Sequence, residues 1–275
     1  MLSEERVREL QQKIEKSKEI YQQIYDRFDI DKVRLIWSGG KDSTLTTWIC
    51  KQFCEENKLQ MSKAFTIDEF DSFEEIDEFL KKYSAQWNIE LDWGRNEDVL
   101  NVAGHKLGAD VKVAELNERN QGEIKQIGFD LKVFPFEAES YIGNHLMKTV
   151  VFNTYLEDNG VKAVIQGLRW DEHPARVDDK YCEEIEAAQF IPAHTRFRPI
   201  LHFTERDVWD TTLHFEIPFC VLYKQGYRSL GAKTTSVKLS EEPAWEQDLE
   251  NTVERAGRRQ DKESAMKRLR KLGYM

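Results

Sequence analysis

One short loop of the chain has the residue types needed to hold phosphate. Residues 38–44 read S-G-G-K-D-S-T, after a short apolar run and before an apolar pattern at helical spacing. Glycines let the backbone approach a ligand closely, and the first N–H groups of a helix are unpaired and favour an anion. A lysine adds positive charge, and hydroxyls add donors. The predicted nucleotide-binding residues of this loop are Ser38, Gly39, Gly40, Lys41, Asp42, Ser43 and Thr44.

This loop is not a Walker A motif. That motif needs a glycine where the chain has Leu35, and a serine or threonine where it has Asp42. The simpler alternative is that the two glycines only form a turn, and that Asp42 or Ser43 only caps the helix. The order of serines, glycines, lysine and helix start favours phosphate binding.

A second stretch places arginines where an anion could bind. Residues 167–176 follow a buried apolar run and contain Arg169, Arg176, Asp171 and Glu172. The planar guanidinium group matches the oxygens of sulfate or phosphate. The alternative is ion pairing among these four side chains at the surface.

Weaker candidates are spread along the rest of the chain. Arg228, in a glycine-containing loop, either closes over an anion or remains a cation in water, and Lys148 is a further cation. Four histidines have no metal-ligand spacing, so structural roles are expected for them and no metal site is predicted. They are His173, His194, His202 and His214.

The apolar pattern predicts strands that alternate with helices. The predicted strands are 33–37, 62–67, 89–93 and 163–167, and the predicted helices are 3–28, 43–56, 74–84, 140–158 and one that starts at Thr204. Such alternation indicates a parallel sheet with helices on both faces, in which ligands bind beyond the carboxyl ends of the strands. The loop 38–44, Asp68 and Arg169 all follow predicted strands, so we expect them to converge on one site.

The pattern divides the chain into three regions. Residues 1–30 hold a helix with one apolar stripe, which packs on the main domain or on a second subunit. The main domain is 31–235, with an insertion at about 94–139 that resembles a hairpin with a polar loop at 117–122. Residues 236–275 form a predicted helical tail, basic from residue 254 onward, whose charged face is either solvated or binds an anion.

Composition limits the classes of function. The 275 residues carry a formal net charge of −10, which argues against non-specific binding of the whole molecule to nucleic acid or membranes. Without an apolar run long enough to span a membrane, or a signal peptide, a cytoplasmic location is expected. The four cysteines form no C-x-x-C pair. Cys50 and Cys54 lie one helical turn apart, which is more typical of packing than of a metal site.

The loop 38–44 resembles the S-G-G-x-D-S loop of the PP-loop ATP pyrophosphatases, which grips the β,γ-pyrophosphate of ATP while chemistry occurs at the α-phosphate. Other segments, in order, resemble the PAPS reductase family of that superfamily. They are Ile67-Asp68 with Phe73-Glu74, Gly167-x-Arg169-x-Asp171-Glu172, Arg198-Pro199-Ile200, Thr204-Glu205-x-Asp207-Val208-Trp209, Ile217-Pro218, Leu222-Tyr223 and Gly226-Tyr227-Arg228-Ser229-Leu230-Gly231. The resemblance implies an α/β fold, the adenine-nucleotide α-hydrolase-like Rossmann-type sandwich.

Two branches of that family compete. The sulfonucleotide reductases use a C-terminal cysteine and a Gly-Cys-x-x-Cys segment, whereas this chain has no cysteine after Cys220 and reads G-A-K-T-T at 231–235. Reductase activity and an iron–sulfur cluster are therefore not expected. The small subunit of the heterodimeric sulfate adenylyltransferase is similar at 146–149 (L-M-K-T) and at 254–258 (E-R-A-G-R), although the insertion at 94–139 departs from it.

The second branch implies a nucleotidyltransferase that transfers the adenylyl group of ATP to an oxyanion, most simply sulfate, and releases pyrophosphate. Mg²⁺ would neutralise the phosphates, and a GTPase large subunit is the implied partner, with a homo-oligomer as a further possibility. Catalytic roles are implied for Lys41, Arg169 and Arg228, nucleotide contacts for Asp68 and Gly167 besides the loop, and anion binding for Arg169, Arg176 and Arg228.

Two other functions stay open. One is a reductase-like protein that binds adenylyl sulfate, or its 3′-phosphorylated form, and leaves the sulfur chemistry to a partner. The other is ATP-dependent sulfur transfer to nucleic acid, in which the basic tail would meet RNA or DNA. The acidic body of the chain and the missing C-x-x-C count against the second.

Overall fold

A computed structural model describes residues 2–258, and within them a mostly parallel sheet forms the centre of the fold. The six strands lie in the order β3-β2-β1-β6-β8-β7. They are β1 (Val33–Ile36), β2 (Lys63–Ile67), β3 (Leu91–Gly94), β6 (Ala163–Gln166), β7 (Cys182–Ile185) and β8 (His194–Phe197). Neighbours pair in parallel except for the edge pair β7–β8, which is antiparallel. The predicted α/β sandwich is confirmed, whereas the antiparallel edge was not foreseen.

Helices cover both faces of this sheet, and three more, between residues 97 and 144, pack in a separate apolar cluster. They are α1 (Glu4–Arg27), α2 (Lys41–Asn57), α3 (Glu74–Gln86), α4 (Glu97–Val102), α5 (Glu118–Gln126), α6 (Tyr141–Asn144), α7 (Val151–Asn159) and α8 (Glu205–His214). A π-helical turn, His145–Val150, joins α6 to α7, so the predicted helix 140–158 contains a wider turn. Leu35 and Ile165 face one apolar cluster, while Phe65 and Val164 face another with Phe152 of α7. Burial on both faces explains the continuous apolar runs of these strands.

The N-terminal helix packs on the main domain. Its predicted cap is present, because the Ser3 hydroxyl accepts a hydrogen bond from the Arg6 N–H at 3.1 Å. On its buried face, the Tyr21 hydroxyl donates to the Thr46 carbonyl of α2 at 2.7 Å. Ion pairs then tie its first turns to Asp207 of α8. The main domain, rather than a second subunit, therefore covers the apolar stripe of α1.

The insertion forms a small lobe with its own core. Strands β4 (Asp110–Lys112) and β5 (Val133–Pro135) pair antiparallel, as the sequence predicts. The prediction of a polar loop between them is wrong, because that stretch forms most of helix α5. The Asn117 side chain caps that helix by accepting from the Asn120 N–H at 2.8 Å, and Ile124 is buried in the core of the lobe. A cap and one buried apolar side chain are enough to fold this polar sequence as a helix.

The C-terminal part returns to the main domain. Helix α8 begins with the predicted capping box between Thr204 and Asp207. Residues 236–258 then run through turns that include the short 3-10 helices Ala244–Glu246 and Glu254–Gly257. The rest of the predicted tail, 259–275, lies outside the described residues. Within residues 2–258, no helix combines the length and the apolar character needed to cross a membrane.

Candidate nucleotide site

A cleft of about 250 Å³ opens at the carboxyl ends of β1, β2 and β6. The turn between β1 and α2, the end of β6, and the segment around 229–231 form its walls, and residues 254–258 lie across it. Several of the predicted site residues line it. They are Ser38, Gly40, Lys41, Asp42, Ser43 and Gly167. The structure thus brings the loop and the end of β6 together, as the parallel sheet requires.

The loop has one side that faces the cleft and one that packs on α3. Gly39 has a φ of +76°, and a Cβ there would lie 2.8 Å from the Ile76 side chain, so a glycine is required. Gly40 has an ordinary φ of −70° and no close neighbour, because a Cβ would lie 3.6 Å from the Ser38 Oγ and from the Tyr223 hydroxyl. The space above Gly40 is therefore a polar cradle at the N-terminus of a helix.

Hydrogen bonds fix the shape of this cradle. The Ser43 hydroxyl accepts from the Ser38 N–H at 3.3 Å and donates to the Gly40 carbonyl at 3.0 Å. The Lys41 N–H donates to the Tyr223 hydroxyl at 2.9 Å. The N–H groups of Asp42 and Ser43 precede the first helical hydrogen bond, which the Thr44 N–H donates to the Gly40 carbonyl at 2.9 Å, so they are among the donors that an α-helix leaves without an internal partner. This is the arrangement that binds phosphate at helix N-termini.

Thr44 and Gly167 hold the start of α2 against the ends of β1 and β6. The Thr44 hydroxyl is buried and accepts from the Trp37 ring N–H at 3.1 Å, which ties the helix start to the end of β1. A Cβ on Gly167 would lie 2.7 Å from the Asp42 carbonyl oxygen. The end of β6 can therefore touch the start of α2 only through a glycine.

Two buried cations lie beside the cradle, and both are paired. The Lys41 ammonium group contacts the carboxylates of Glu254 and Asp42, and Glu205 lies 3.9 Å away. Arg169, which is fully buried, contacts Asp42, Asp171 at 2.9 Å and Glu254 at 2.5 Å. Glu254 therefore bridges the two cations from the C-terminal side of the cleft.

The electrostatics of this group follow from its burial and its charges. Burial lowers the pKa of Lys41, but the carboxylates of Asp42 and Glu254 outweigh burial and raise it above its usual value. Burial raises the pKa of Glu254, but the charges of Arg169 and Lys41 outweigh burial and hold it well below its usual range. Lys41 and Glu254 are thus both charged around neutral pH.

Arg169, Gly39 and Thr44 lie behind the surface of the cleft and do not line it, and neither do three other predicted residues. Arg228 is buried, pairs with Glu205 at 2.7 Å, and donates to main-chain carbonyls of the segment 248–252. Arg228 therefore holds the segment 248–252 in place. The Asp68 carboxylate pairs with Arg95. The third, Arg176, pairs with a carboxylate that does line the cleft, as described next.

The C-terminal segment contributes two arginines to the cleft. The sequence pattern did not predict their position there. Arg255 and Arg258 line the cleft, and Arg255 shares the Glu172 carboxylate with Arg176, at 2.9 and 3.2 Å. Lys148 also lines it and pairs with Glu69 at 2.7 Å. The signals that could have found the two arginines are the basic character of the tail and the E-R-A-G-R resemblance.

The far wall of the cleft is apolar. Ile67, Ile76 and Leu80 line it, together with Trp93, whose ring is 39% exposed. Flat apolar side chains beside a phosphate cradle suit the base of a nucleotide. The arrangement can hold a polyanion at one end and an aromatic ring at the other.

The cleft has no ready-made site for a resident metal. Among residues 2–258, no three His, Cys, Asp or Glu side chains are grouped so that they could hold an ion. The carboxylates nearest the cradle, Asp42 and Glu254, are both occupied by Lys41 and Arg169. Mg²⁺ usually binds through substrate phosphates, water and one or two carboxylates, so it would enter this cleft together with a phosphate ligand.

Comparisons with known proteins show the family and the fold of this chain. The model of the phosphoadenosine phosphosulfate reductase domain matches residues 32–238. A probable FAD synthase of Caenorhabditis briggsae is 25% identical over 230 residues, which are 82% of this chain and 34% of that protein. Subunit 2 of the sulfate adenylyltransferase of Rhodopseudomonas palustris is 28% identical over 142 residues, which are 41% of this chain and 43% of that protein. The chain spans about a third of the length of the first relative.

Among solved structures, the FMN adenylyltransferase of Candida glabrata in complex with FMN and the ATP analogue AMPCPP superposes with a TM-score of 0.66. The match covers 94% of this chain and 93% of that chain, at 17% sequence identity. The similarity confirms the α/β fold.

Proposed function

Because the chain belongs to the phosphoadenosine phosphosulfate reductase family, we propose that it transfers the adenylyl group of ATP to an oxyanion and releases pyrophosphate. The observation that carries the proposal is the open cradle at Gly40, with the hydroxyls of Ser38 and Ser43 on one side and Lys41 beside it. In this proposal the cradle holds the β,γ-pyrophosphate of ATP.

The reaction needs no nucleophile from the protein. An oxygen of the acceptor attacks the α-phosphorus, and the bond from that phosphorus to the pyrophosphate oxygen breaks. Pyrophosphate leaves with the bonding electrons and stays in the cradle. Catalysis is then positioning and stabilisation of negative charge, which the helix N-terminus and Lys41 supply. Mg²⁺ bound to ATP would supply further positive charge.

Two molecules are candidates for the acceptor of the adenylyl group. Sulfate is the simplest acceptor, and the similarity to subunit 2 of a sulfate adenylyltransferase supports it; a large subunit would then be the partner. A phosphate monoester such as FMN is the second candidate, favoured by the FAD synthase relative that matches 82% of this chain. Sulfur chemistry by the chain itself has no support, because no cysteine lines the cleft within the described residues.

The test is pyrophosphate release from MgATP, with sulfate, with FMN and without acceptor, in the wild-type chain and in Gly40→Ala. The added methyl group enters the cradle without touching the backbone, so we expect turnover to fall more than tenfold. The loss of stability should stay within about 1 kcal/mol, since only the residue before the helix changes.

Gly39→Ala is the matched control for that test. Its methyl group would lie 2.8 Å from the Ile76 side chain, and its φ is positive, so it should reduce stability more than Gly40→Ala does. Full turnover in Gly40→Ala, or no pyrophosphate release by the wild type with any acceptor, would contradict the proposed function.

A further inference from the structure

The carboxylate of Glu254 lies where an anionic ligand would be expected. It bridges the Lys41 ammonium group and the Arg169 guanidinium group, with a side chain that is only 7% exposed. We propose that Glu254 occupies the anion position of the cleft as an internal substitute, and that a phosphate group of the ligand displaces it. This inference rests on the proposed function, because the ligand is taken to be pyrophosphate or MgATP.

Glu254 differs from Asp42 in the part of the chain that carries its carboxylate. Asp42 lies in the first turn of α2, next to Lys41 in the chain, so its short side chain keeps the carboxylate near Lys41. Glu254 comes from a different part of the chain, in a 3-10 helix of four residues. A carboxylate on a separate short segment can move while Lys41 and Arg169 stay in place.

The segment that carries Glu254, residues 253–258, is attached mainly by polar contacts. Arg258 donates to the Leu230 carbonyl at 2.5 Å and passes over Gly231, where a Cβ would lie 2.2 Å from its guanidinium group. The Gly257 carbonyl accepts from the Val237 N–H at 3.0 Å. Val253, at the start of the segment, is 72% exposed.

This kind of attachment favours local opening. The segment has few buried apolar contacts to lose on opening, whereas its buried pairs, Glu254 with Lys41 and Arg169 and Arg255 with Glu172, open only when the ligand supplies the replacing charge. The size of the cleft gives a reason to open it: about 250 Å³ is below the roughly 300–1,000 Å³ of pockets that enclose small ligands. Moving residues 253–258 would both enlarge the cleft and free its two cations.

Replacing the Glu254 carboxylate with a phosphate group also keeps the charges of the buried site paired. Removing Glu254 without a replacement would leave Lys41 and Arg169 short of negative charge in a water-poor environment. A phosphate oxygen in the same position restores the charge pairing. Ligand binding and release of Glu254 are therefore expected to occur together.

The test measures binding of inorganic pyrophosphate, by calorimetry, to the wild-type chain and to Glu254→Gln. The neutral amide competes less well for the two cations, so pyrophosphate should bind about ten- to a hundredfold more tightly, the range expected for loss of one charged hydrogen-bond partner. Glu183→Gln is the matched control. Glu183 also pairs with a buried arginine, Arg198, but it lies outside the cleft, so its replacement should leave the affinity unchanged.

A second measurement does not depend on how well the variant folds. In the wild-type chain, saturating pyrophosphate should speed hydrogen exchange of the backbone N–H groups in 253–258, because the segment is released. Unchanged or slower exchange, or equal or weaker binding by Glu254→Gln, would overturn the inference. If the wild type binds and turns over MgATP but shows those results, only the inference fails; if it binds neither pyrophosphate nor MgATP, the proposed function fails with it.

Discussion

Removing the charge of Arg169 should destabilise the whole domain. Arg169 is fully buried and faces the carboxylates of Asp42, Asp171 and Glu254. In Arg169→Met a side chain of comparable length keeps the apolar contacts but leaves Asp42 and Glu254 with Lys41 as their shared cation. Leaving a buried charge short of its partner costs about 3–5 kcal/mol.

That cost is large beside the stability of an ordinary domain, about 5–15 kcal/mol. At roughly 2 °C per kcal/mol for a chain of this length, the unfolding midpoint should fall by about 6–10 °C. The double variant Arg169→Met with Glu254→Gln removes one of the two stranded charges, so it should recover about 1–3 kcal/mol relative to the single variant. Stability recovered in this way reports directly on the contact between the two side chains.

Urea unfolding followed by circular dichroism measures these free energies. Arg95→Met is the control, because Arg95 also pairs with carboxylates, those of Asp68 and Glu97, but is 38% exposed. An exposed pair of this kind contributes about 1 kcal/mol or less. The reasoning is refuted if Arg169→Met costs no more than Arg95→Met, or if the double variant is no more stable than Arg169→Met alone.

Two further predictions concern groups far from the cleft. Burial lowers the pKa of His194 to about 4 from 6.5, so its contribution to stability is complete above pH 6.5 and is lost, by up to about 3 kcal/mol, as the pH falls to 4. Urea titrations should show that His194→Gln, which keeps a polar side chain near Arg196, has a shallower pH dependence than the wild type in this window; an equal slope would contradict the assignment. Asp207→Asn should cost about 1–3 kcal/mol, because the carboxylate accepts from Arg6 and Lys13 of α1 at 2.7 Å each. Hydrogen exchange in α1 should rise with it, and protection equal to the wild type would show that α1 is held by its apolar face alone.

The parts of the fold that the sequence predicted are those with a local signal. The strand before residue 38, the glycine loop and α2 follow one another within 25 residues of chain, and each has its own pattern of apolar residues, glycines or caps. The start of helix α8 was likewise predicted from its capping box. Helix α5 was missed because only Ile124 and a capping asparagine distinguish it from a polar loop.

The partners of the charged residues could not be predicted in the same way. Arg169 and Arg228 look alike in sequence, since each lies in a loop as the last residue of a Gly-x-Arg stretch. The fold pairs Arg169 with Asp42 beside the cradle, and pairs Arg228 with Glu205 away from it. These contacts span from 23 to 127 residues of chain, and no local periodicity records them.

The balance of charge in the cleft argues for a polyanion that brings its own cation. Each cation described there already has a carboxylate: Lys41 and Arg169 share Glu254, Arg255 has Glu172, Arg258 has Glu139 at 3.6 Å, and Lys148 has Glu69. A bare anion therefore meets no surplus of positive charge and must displace a carboxylate to bind. MgATP can do both, because its pyrophosphate replaces the Glu254 carboxylate while the bound Mg²⁺ compensates the remaining charge.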